Sequence, residues 1–453
     1  MSESLFDSFD PVSSAGWKQK IQADLKGADY NQTLVWESPE NIAVKPFYHR
    51  DEFNEPHQNI PGQPKEWRVV QQYFIDQEEV VNRLIKDTLD RGAEAFWLQA
   101  DNAFDWCKLS EGLGDKNLNY YLELNFNDPE FNKSISSNGE VDKIHLLFDP
   151  IGKLVSSGNW FKNQEDDLSS IAQLQQAGWA SNLTIDSRNY LEGGATAVQQ
   201  LAYSIAHLTE YLHLVDDHSN FKPCFVVALG SNYFFEIAKI RALRWLYATV
   251  AKEYGLSPHC HIICRPGKRN KTLYDYNVNM LRTTTESMSG ILGGADAICN
   301  LPYDSLYHKS NEFGERIARN QLLIMKSESY LDQVSNPADG AYYIERITEQ
   351  MAKEALSIFK EIEASGGLLH QLKEGTLQRK IRESAKEEQL RFDQQETTLI
   401  GTNKYPNQDD RMKDELELYP FVKKEVRKTL IEPVVARRLA EKLEKDRLKN
   451  EEE

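Results

Sequence analysis

The sequence predicts an α/β fold: a (β/α)8 TIM-type barrel with an extended N-terminal arm and a helical C-terminal extension. Between residues 69 and 345, short apolar runs alternate with amphipathic helical stretches. Repeated βα units imply a parallel sheet with right-handed crossovers, and about eight strand candidates favour closing it into a barrel. Before this region, five of the chain's sixteen prolines fall between residues 30 and 68. After it, from residue 346, the texture is helical and dense in charge. The expected organisation is therefore an arm over 1–68, a barrel over 69–345 and a helical extension over 346–453.

Composition narrows the function classes. The chain has 453 residues, 40% of them apolar and 27% charged, and no run approaches the ~18 apolar residues of a membrane span. The opening MSESLFDSFD lacks the basic region and apolar block of a secretory signal, so a cytoplasmic location with no membrane association is expected. A formal net charge of −17 argues against nucleic acid as a partner, because phosphate backbones need clustered cations. A local basic pocket is still allowed. Five cysteines scattered from Cys107 to Cys299 fit free thiols in a reducing compartment.

Taken in order, Ser13-Ser14 can cap a helix carrying Trp17, Ile21 and Leu25 on one face, with Gly27 at its end. Pro39, Pro46, Pro56, Pro61 and Pro64 then disfavour helix, while Trp36, Phe47, Tyr48 and Phe53 punctuate the extended chain. Such aromatic residues lie against a surface, either this chain's own barrel or a partner. Strand candidates follow at Val69–Ile75, Ala93–Gln99, Ile144–Phe148, Leu183–Ile185, Cys224–Leu229, His261–Cys264 and Ala295–Leu301. Helical periods occupy Glu78–Asp90, the stretch around Val198–Leu212, Tyr233–Tyr254, and the stretch around Leu281–Leu292, which is capped by Gly293-Gly294. Bulky Phe96, Trp97 and Phe148 on candidate strands point to an interior filled by side chains. Beyond Ile344, helices are expected at Glu345–Glu363 and about Leu377–Gln394, and the tail from Val434 reads as a solvated helix or frayed end.

Arg316-Ile317-Ala318-Arg319-Asn320, with Gly293-Gly294 before it and Asn336-Pro337-x-x-Gly340-x-Tyr342 after it, resembles the end of the substrate barrel of the methylmalonyl-CoA mutases. The opening LFDSFDPVSSAGWKQKIQADLKGADYNQTLVWESPENIAVKPFY is similar to the start of that family's small, or β, subunit. Resemblance runs from about Leu5 to about Tyr405. It implies a heterodimer in which a large catalytic subunit carries adenosylcobalamin and interconverts (R)-methylmalonyl-CoA and succinyl-CoA. It also tips the arm's expected surface towards that partner. The family's Ser-Gly-Tyr-His segment before a helix reading LAY is matched around Ser187-Arg188-Asn189-Tyr190, ahead of Leu201-Ala202-Tyr203, with Asn189 at the histidine position. Asparagine cannot exchange a proton near neutral pH. The family's first-strand Ile-Arg-x-Tyr is matched by Val70-Gln71-Gln72-Tyr73, and the seventh-strand histidine after the double glycine by Cys299. The resemblance thus implies a vestigial site at Gln71, Tyr73, Asn189 and Cys299, with no catalytic residue in this chain. Acyl-CoA entry remains open. Two alternatives are a catalytic acyl-CoA mutase subunit using a separate cobalamin-binding protein, and an acyl-CoA-binding or scaffolding barrel.

Three further motifs carry chemistry-bearing side chains. In His259-Cys260-His261-Ile262-Ile263-Cys264, strand alternation would send the cysteines and histidines to opposite faces, so a packed strand is expected and no metal. Gly267-Lys268-Arg269-Asn270-Lys271-Thr272 lacks the spacing of a phosphate loop, yet its cations could touch an anion. Asp216-Asp217-His218 superficially matches the family's cobalt-ligand motif Asp-x-His-x-x-Gly, but Phe221 stands where glycine is required. No cobalamin-binding domain, and no bound cofactor, is expected in this chain.

Overall fold

The computed structural model describes residues 8–53, 59–114, 118–137, 140–215, 217–423 and 427–451. Eight strands form one parallel sheet: β1 (Arg68–Phe74), β2 (Ala95–Ala100), β3 (Asn119–Leu124), β4 (Ile144–Leu147), β5 (Leu183–Asp186), β6 (Pro223–Leu229), β7 (His261–Pro266) and β8 (Ala297–Cys299). Each pairs with its sequence neighbours except across β4 and β5, which are joined by a single bridge between His145 and Ser181, and β8 pairs with β1. The β4–β5 seam is narrower. There the Leu146 N–H donates to Ser181 O at 3.0 Å, and the Thr184 hydroxyl donates to Leu146 O at 2.8 Å. These contacts complete the ring of a (β/α)8 barrel.

Of these strands, only β3 is missing from the strands read off the sequence. Its segment NYYLEL mixes Asn119 and Glu123 with aromatic and aliphatic residues, so it shows neither an apolar run nor a simple two-faced alternation. The pleat explains the mixture. Tyr120 and Leu122 belong to the outer core under the helices, whereas Tyr121 belongs to the inner cluster.

The same alternation sorts every strand. Val70, Trp97, Tyr121, Leu147, Val226, Ile263 and Cys299 share the inner cluster. Val69, Phe96, Leu98, Phe225, Ile262 and Ile298 join the outer core. Of the three bulky residues expected inside, Trp97 is there. Phe96 and Phe148 are not: Phe148 follows β4 and stacks on Phe161 at 5.2 Å, while Phe96 stacks on Tyr73 at 6.3 Å. A period of two leaves no choice, since neighbours on one strand cannot share a face.

The arm lies on this chain's own helices. Ser13 caps the helix Ser14–Asp24 by accepting from the Gly16 N–H. Trp36 meets Phe235 at 5.6 Å, Tyr48 meets Tyr343 at 5.7 Å and Phe53 meets Tyr342 at 5.6 Å. Ile42, Val44 and Trp67 are buried in the main core. The aromatics land there because Tyr233–Glu253 and Tyr342–Ala364 present rings at the matching positions.

The helical extension is equally integral. The expected boundary at 345/346 falls inside the Tyr342–Ala364 helix, whose Ile347, Met351 and Ala355 are buried in the same core as the barrel's outer face. The tail is not frayed. Leu439 and Ala440 pack with Phe392 and Leu399, and Glu444, fully buried, accepts from the Leu273 N–H at 2.7 Å and from Arg438 at 2.6 Å. A charge run that looks solvated by composition is held by one buried carboxylate and its partners.

Filling the lumen with Trp97 makes it a keystone of the packing. Trp97→Ala is expected to cost about 3–5 kcal/mol, the range for emptying a buried aromatic site, in urea unfolding followed by fluorescence of the remaining tryptophans. A cost below about 1 kcal/mol would show that the lumen collapses around the gap.

Candidate functional site at the barrel mouth

Two of the three inner layers of side chains carry the site. At the N-terminal end, the Tyr121 hydroxyl and His261 Nε2 hydrogen bond at 2.8 Å. The His145 ring stacks 4.8 Å from Tyr121 and 4.0 Å from His261, and His145 Nδ1 meets the Ser181 hydroxyl at 2.8 Å. Burial pulls both imidazole pKa values down. For His261 the Arg244 and Arg68 charges add to it, taking the pKa to about 3, and for His145 the neighbouring His261 does so. Both rings are therefore neutral near pH 7.

Above Trp97 lies a charged layer at the C-terminal ends of the strands. The Trp97 indole N–H donates to Glu123 Oε2 at 2.8 Å. Arg188 donates from Nη2 to Glu123 Oε1 at 2.6 Å and to Asp186 Oδ2 at 2.7 Å. The guanidiniums of Arg188 and Arg265 lie over the Trp97 ring at 5.0 and 5.6 Å. Burial alone would raise the Glu123 pKa, but the Arg188 charge and hydrogen bond, with the bond from Trp97, hold it below the usual carboxylate value.

The loop bearing Arg188 is pinned from beneath. Asp149, buried between β4 and the helix Pro150–Ser157, accepts from the Asp186 N–H at 2.7 Å and the Gly152 N–H at 2.8 Å. It also bonds His207 Nε2 at 3.0 Å and the Tyr211 hydroxyl. Burial opposes ionisation of Asp149, yet these partners win and its pKa is lowered. His207 and Tyr211 come from the helix Ala197–Leu212, which opens with a capping box between Thr196 and Gln199.

The four sequence-predicted positions divide. Asn189 stands at the mouth, donating to Gly152 O at 3.3 Å beside a cavity of about 190 Å³ that Glu123, Lys153, Asp186 and Arg188 also line. Cys299 faces the lumen, on the eighth strand rather than the seventh, and burial pushes its thiol up to about 11. Gln71 and Tyr73 have their side chains on the outer face of β1. Gln71 accepts from Arg319 at 3.0 Å, and Tyr73, stacked on Phe96, has its pKa pushed up to about 12 by burial. The inward residues of that strand are Val70 and Gln72, so Tyr73, the one tyrosine of β1, turns away from the lumen. Gln71 and Tyr73 still border the mouth cavity of about 400 Å³.

The other motifs resolve into packing. Cys260 and Cys264 belong to the outer core, away from the lumen-facing His261. In the Gly267–Thr272 loop, Arg269 is taken by Glu388 at 2.6 Å and Lys271 by Glu286 at 2.7 Å, while Lys268 reaches the mouth. His218 bonds Leu212 O at 2.7 Å and stacks on Phe221. It follows a barrel helix and precedes β6, at the end of the barrel opposite the mouth. Asp216 lies outside the described residues. Among the described residues no cluster of three His, Cys, Asp or Glu side chains is arranged to hold a metal ion.

Sequence reasoning missed Glu123, Arg188 and Arg265 as functional residues. A signal existed: charged residues at the C-terminal ends of barrel strands mark the mouth, where barrel chemistry is built.

A parallel (β/α)8 barrel with a charged, tryptophan-floored mouth defines an α/β-barrel protein with the layout of barrel enzymes. The family profile described as Methylmalonyl-CoA mutase matches residues 149–450. The chain is 32% identical to the methylmalonyl-CoA mutase small subunit of Porphyromonas gingivalis, over 89% of this chain and 71% of that one. It is 34% identical to the methylmalonyl-CoA mutase small subunit of Streptomyces virginiae, over 49% of this chain and 38% of that one. It is also 32% identical to the methylmalonyl-CoA mutase of Rhizobium meliloti, over 52% of this chain and 35% of that one. The chain belongs to the methylmalonyl-CoA mutase family. It spans about two thirds to three quarters of the first of these relatives and little more than a third of the other two.

The stacked histidines generate a pH dependence. Their folded pKa values lie below the unfolded value of ~6.5, so below that pH the unfolded chain binds more protons and stability falls as pH drops. With the His261 ring neutral when folded, the slope between about pH 4 and 6 gains up to ~1.4 kcal/mol per pH unit from it, and His145 acts in the same direction. Urea midpoints across this range should show His261→Gln with a shallower slope than the native chain. Equal slopes would mean that His261 protonates without loss of the fold.

Proposed function

We propose that this chain is the small, non-catalytic subunit of an adenosylcobalamin-dependent methylmalonyl-CoA mutase. It would support the interconversion of (R)-methylmalonyl-CoA and succinyl-CoA by a large catalytic subunit in a heterodimer. The observation that carries this reading is the filled lumen. A reacting acyl group needs a dry, shaped cavity with placed donors, whereas Trp97, Tyr121, His145 and His261 occupy the barrel interior. The three mouth cavities stop above Tyr121, His145 and His261, which line none of them.

Asn189 supports the same reading, because an amide at the family's histidine position has no proton to exchange at neutral pH. The residues present also do not fit a corrin. Beyond the barrel, the described strands amount to the two-residue ladder Trp36–Glu37 with Ala43–Val44 and one bridge between Ile400 and Lys404, with no second sheet to seat it. His218, the nearest match to a cobalt ligand, is hydrogen-bonded at the wrong end. The filled lumen weighs equally against a catalytic barrel that borrows its corrin from a separate protein. Among the described residues no helix is long and apolar enough to cross a membrane.

The test is reconstitution with a large subunit at saturating adenosylcobalamin, following succinyl-CoA consumption. Asn189→Ala in fully assembled complex should leave turnover within about twofold, since general acid–base help worth ~10²–10⁴-fold would be lost only from a working site. A tenfold drop would overturn the non-catalytic reading.

A further inference from the structure

The mouth holds more positive charge than its surroundings use. A cavity of about 400 Å³ there is lined by five lysine and arginine residues against three carboxylates, in a chain whose formal net charge is −17. The carboxylates have partners. Glu123 is engaged by Arg188 and Trp97, Asp304 by Asn311 at 2.8 Å and His308 at 3.3 Å, and Glu315 by the Ser310 hydroxyl.

The cations are less well matched. Arg188 is spent on Glu123 and Asp186. The Arg265 guanidinium, half-buried over Trp97, makes no side-chain hydrogen bond or ion pair among the described residues. The Lys268 ammonium, from the adjoining loop, likewise has none: the nearby Glu192 carboxylate accepts from the Lys268 backbone N–H at 2.7 Å, and burial with the Arg265 charge lowers the ammonium pKa against the pull of Glu192. Arg319 donates to Gln71 but its buried Nε has no partner. Unpaired cations in a partly desolvated cavity are costly, and a guanidinium fork matches the oxygens of a carboxylate or phosphate.

We propose that this mouth binds a small oxyanionic metabolite, a phosphate monoester or a dicarboxylate, held between Arg265 and Lys268 above the Trp97 ring. The cavity is of the size that takes small molecules. Arg188 fixes the floor and the two unpaired cations supply the contacts. Such a site gives the small subunit a ligand of its own, distinct from turnover in a partner. Binding here does not depend on the small-subunit reading, because it is measured on the full chain without a partner.

The experiment is calorimetric titration of the full chain with inorganic phosphate and, separately, glutarate, at fixed ionic strength set with chloride. Saturable one-to-one binding with Kd below about 1 mM is expected for at least one probe. Binding of phosphate alone assigns phosphate, and binding of glutarate alone assigns dicarboxylate. Arg265→Met and Lys268→Met should each weaken it about tenfold or more, whereas the exposed Lys20→Met should not. Should Arg265→Met fail to fold, Lys268→Met decides, because the exposed lysine side chain makes no hydrogen bond or ion pair among the described residues. No saturable heat with either probe, or unchanged affinity in Lys268→Met, would overturn the site.

Discussion

The structure depends on how its barrel is filled. Eight parallel strands that close on themselves enclose a space that must be packed, because a void in a protein interior forfeits the contacts of everything lining it. Here the centre is taken by Trp97, and an indole in that position brings a polar N–H that must be satisfied. Glu123 accepts it, Arg188 neutralises Glu123, and Asp186 shares Arg188. One aromatic side chain thus dictates the charged layer above it.

That layer explains why so much buried charge is tolerated. A carboxylate drawn into a barrel is costly alone but acceptable when its remaining lone pairs are met. Glu123 and Asp149 both satisfy this, and both keep lowered pKa values in spite of burial. Asp149 reaches from the end of β4 to the loop after β5, so the seam with the fewest ladder hydrogen bonds is the one crossed by side-chain bonds. The same bonds hold Arg188 and Asn189 at the mouth. Further out, Glu444 and Arg438 tie the last helix to the loop after β7. Gly294, with φ +89, turns the chain out of the helix Val278–Leu292 into β8, a conformation a side chain would disfavour.

The family's architecture persists because the outer core, between strands and helices, is apolar and independent of what lies inside. Within the lumen, large side chains stand where a reacting group would need space. The resulting object is a packed barrel with a charged rim rather than a channel.

The architecture was legible in the sequence because seven of the eight observed strands carry apolar runs with helical periods between them. The capping serine, the glycine pair and the long helices were also local signals, set by backbone geometry that residues a few positions apart control. β3 escaped because its inward residues are polar by necessity, and that necessity lies in Trp97 and Arg188, far away in the chain. The site was legible in part. Asn189 and Cys299 face the mouth and the lumen, whereas Gln71 and Tyr73 turn to the outer face of β1 while bordering the mouth cavity, a choice of face that one residue of register reverses. Sequence by itself determined the order of elements. Only the tertiary structure decided which face each strand turns inward, that the arm folds back on its own helices, and that Arg265 and Lys268 stand together at the mouth, because these are relations among residues that meet only when the barrel closes.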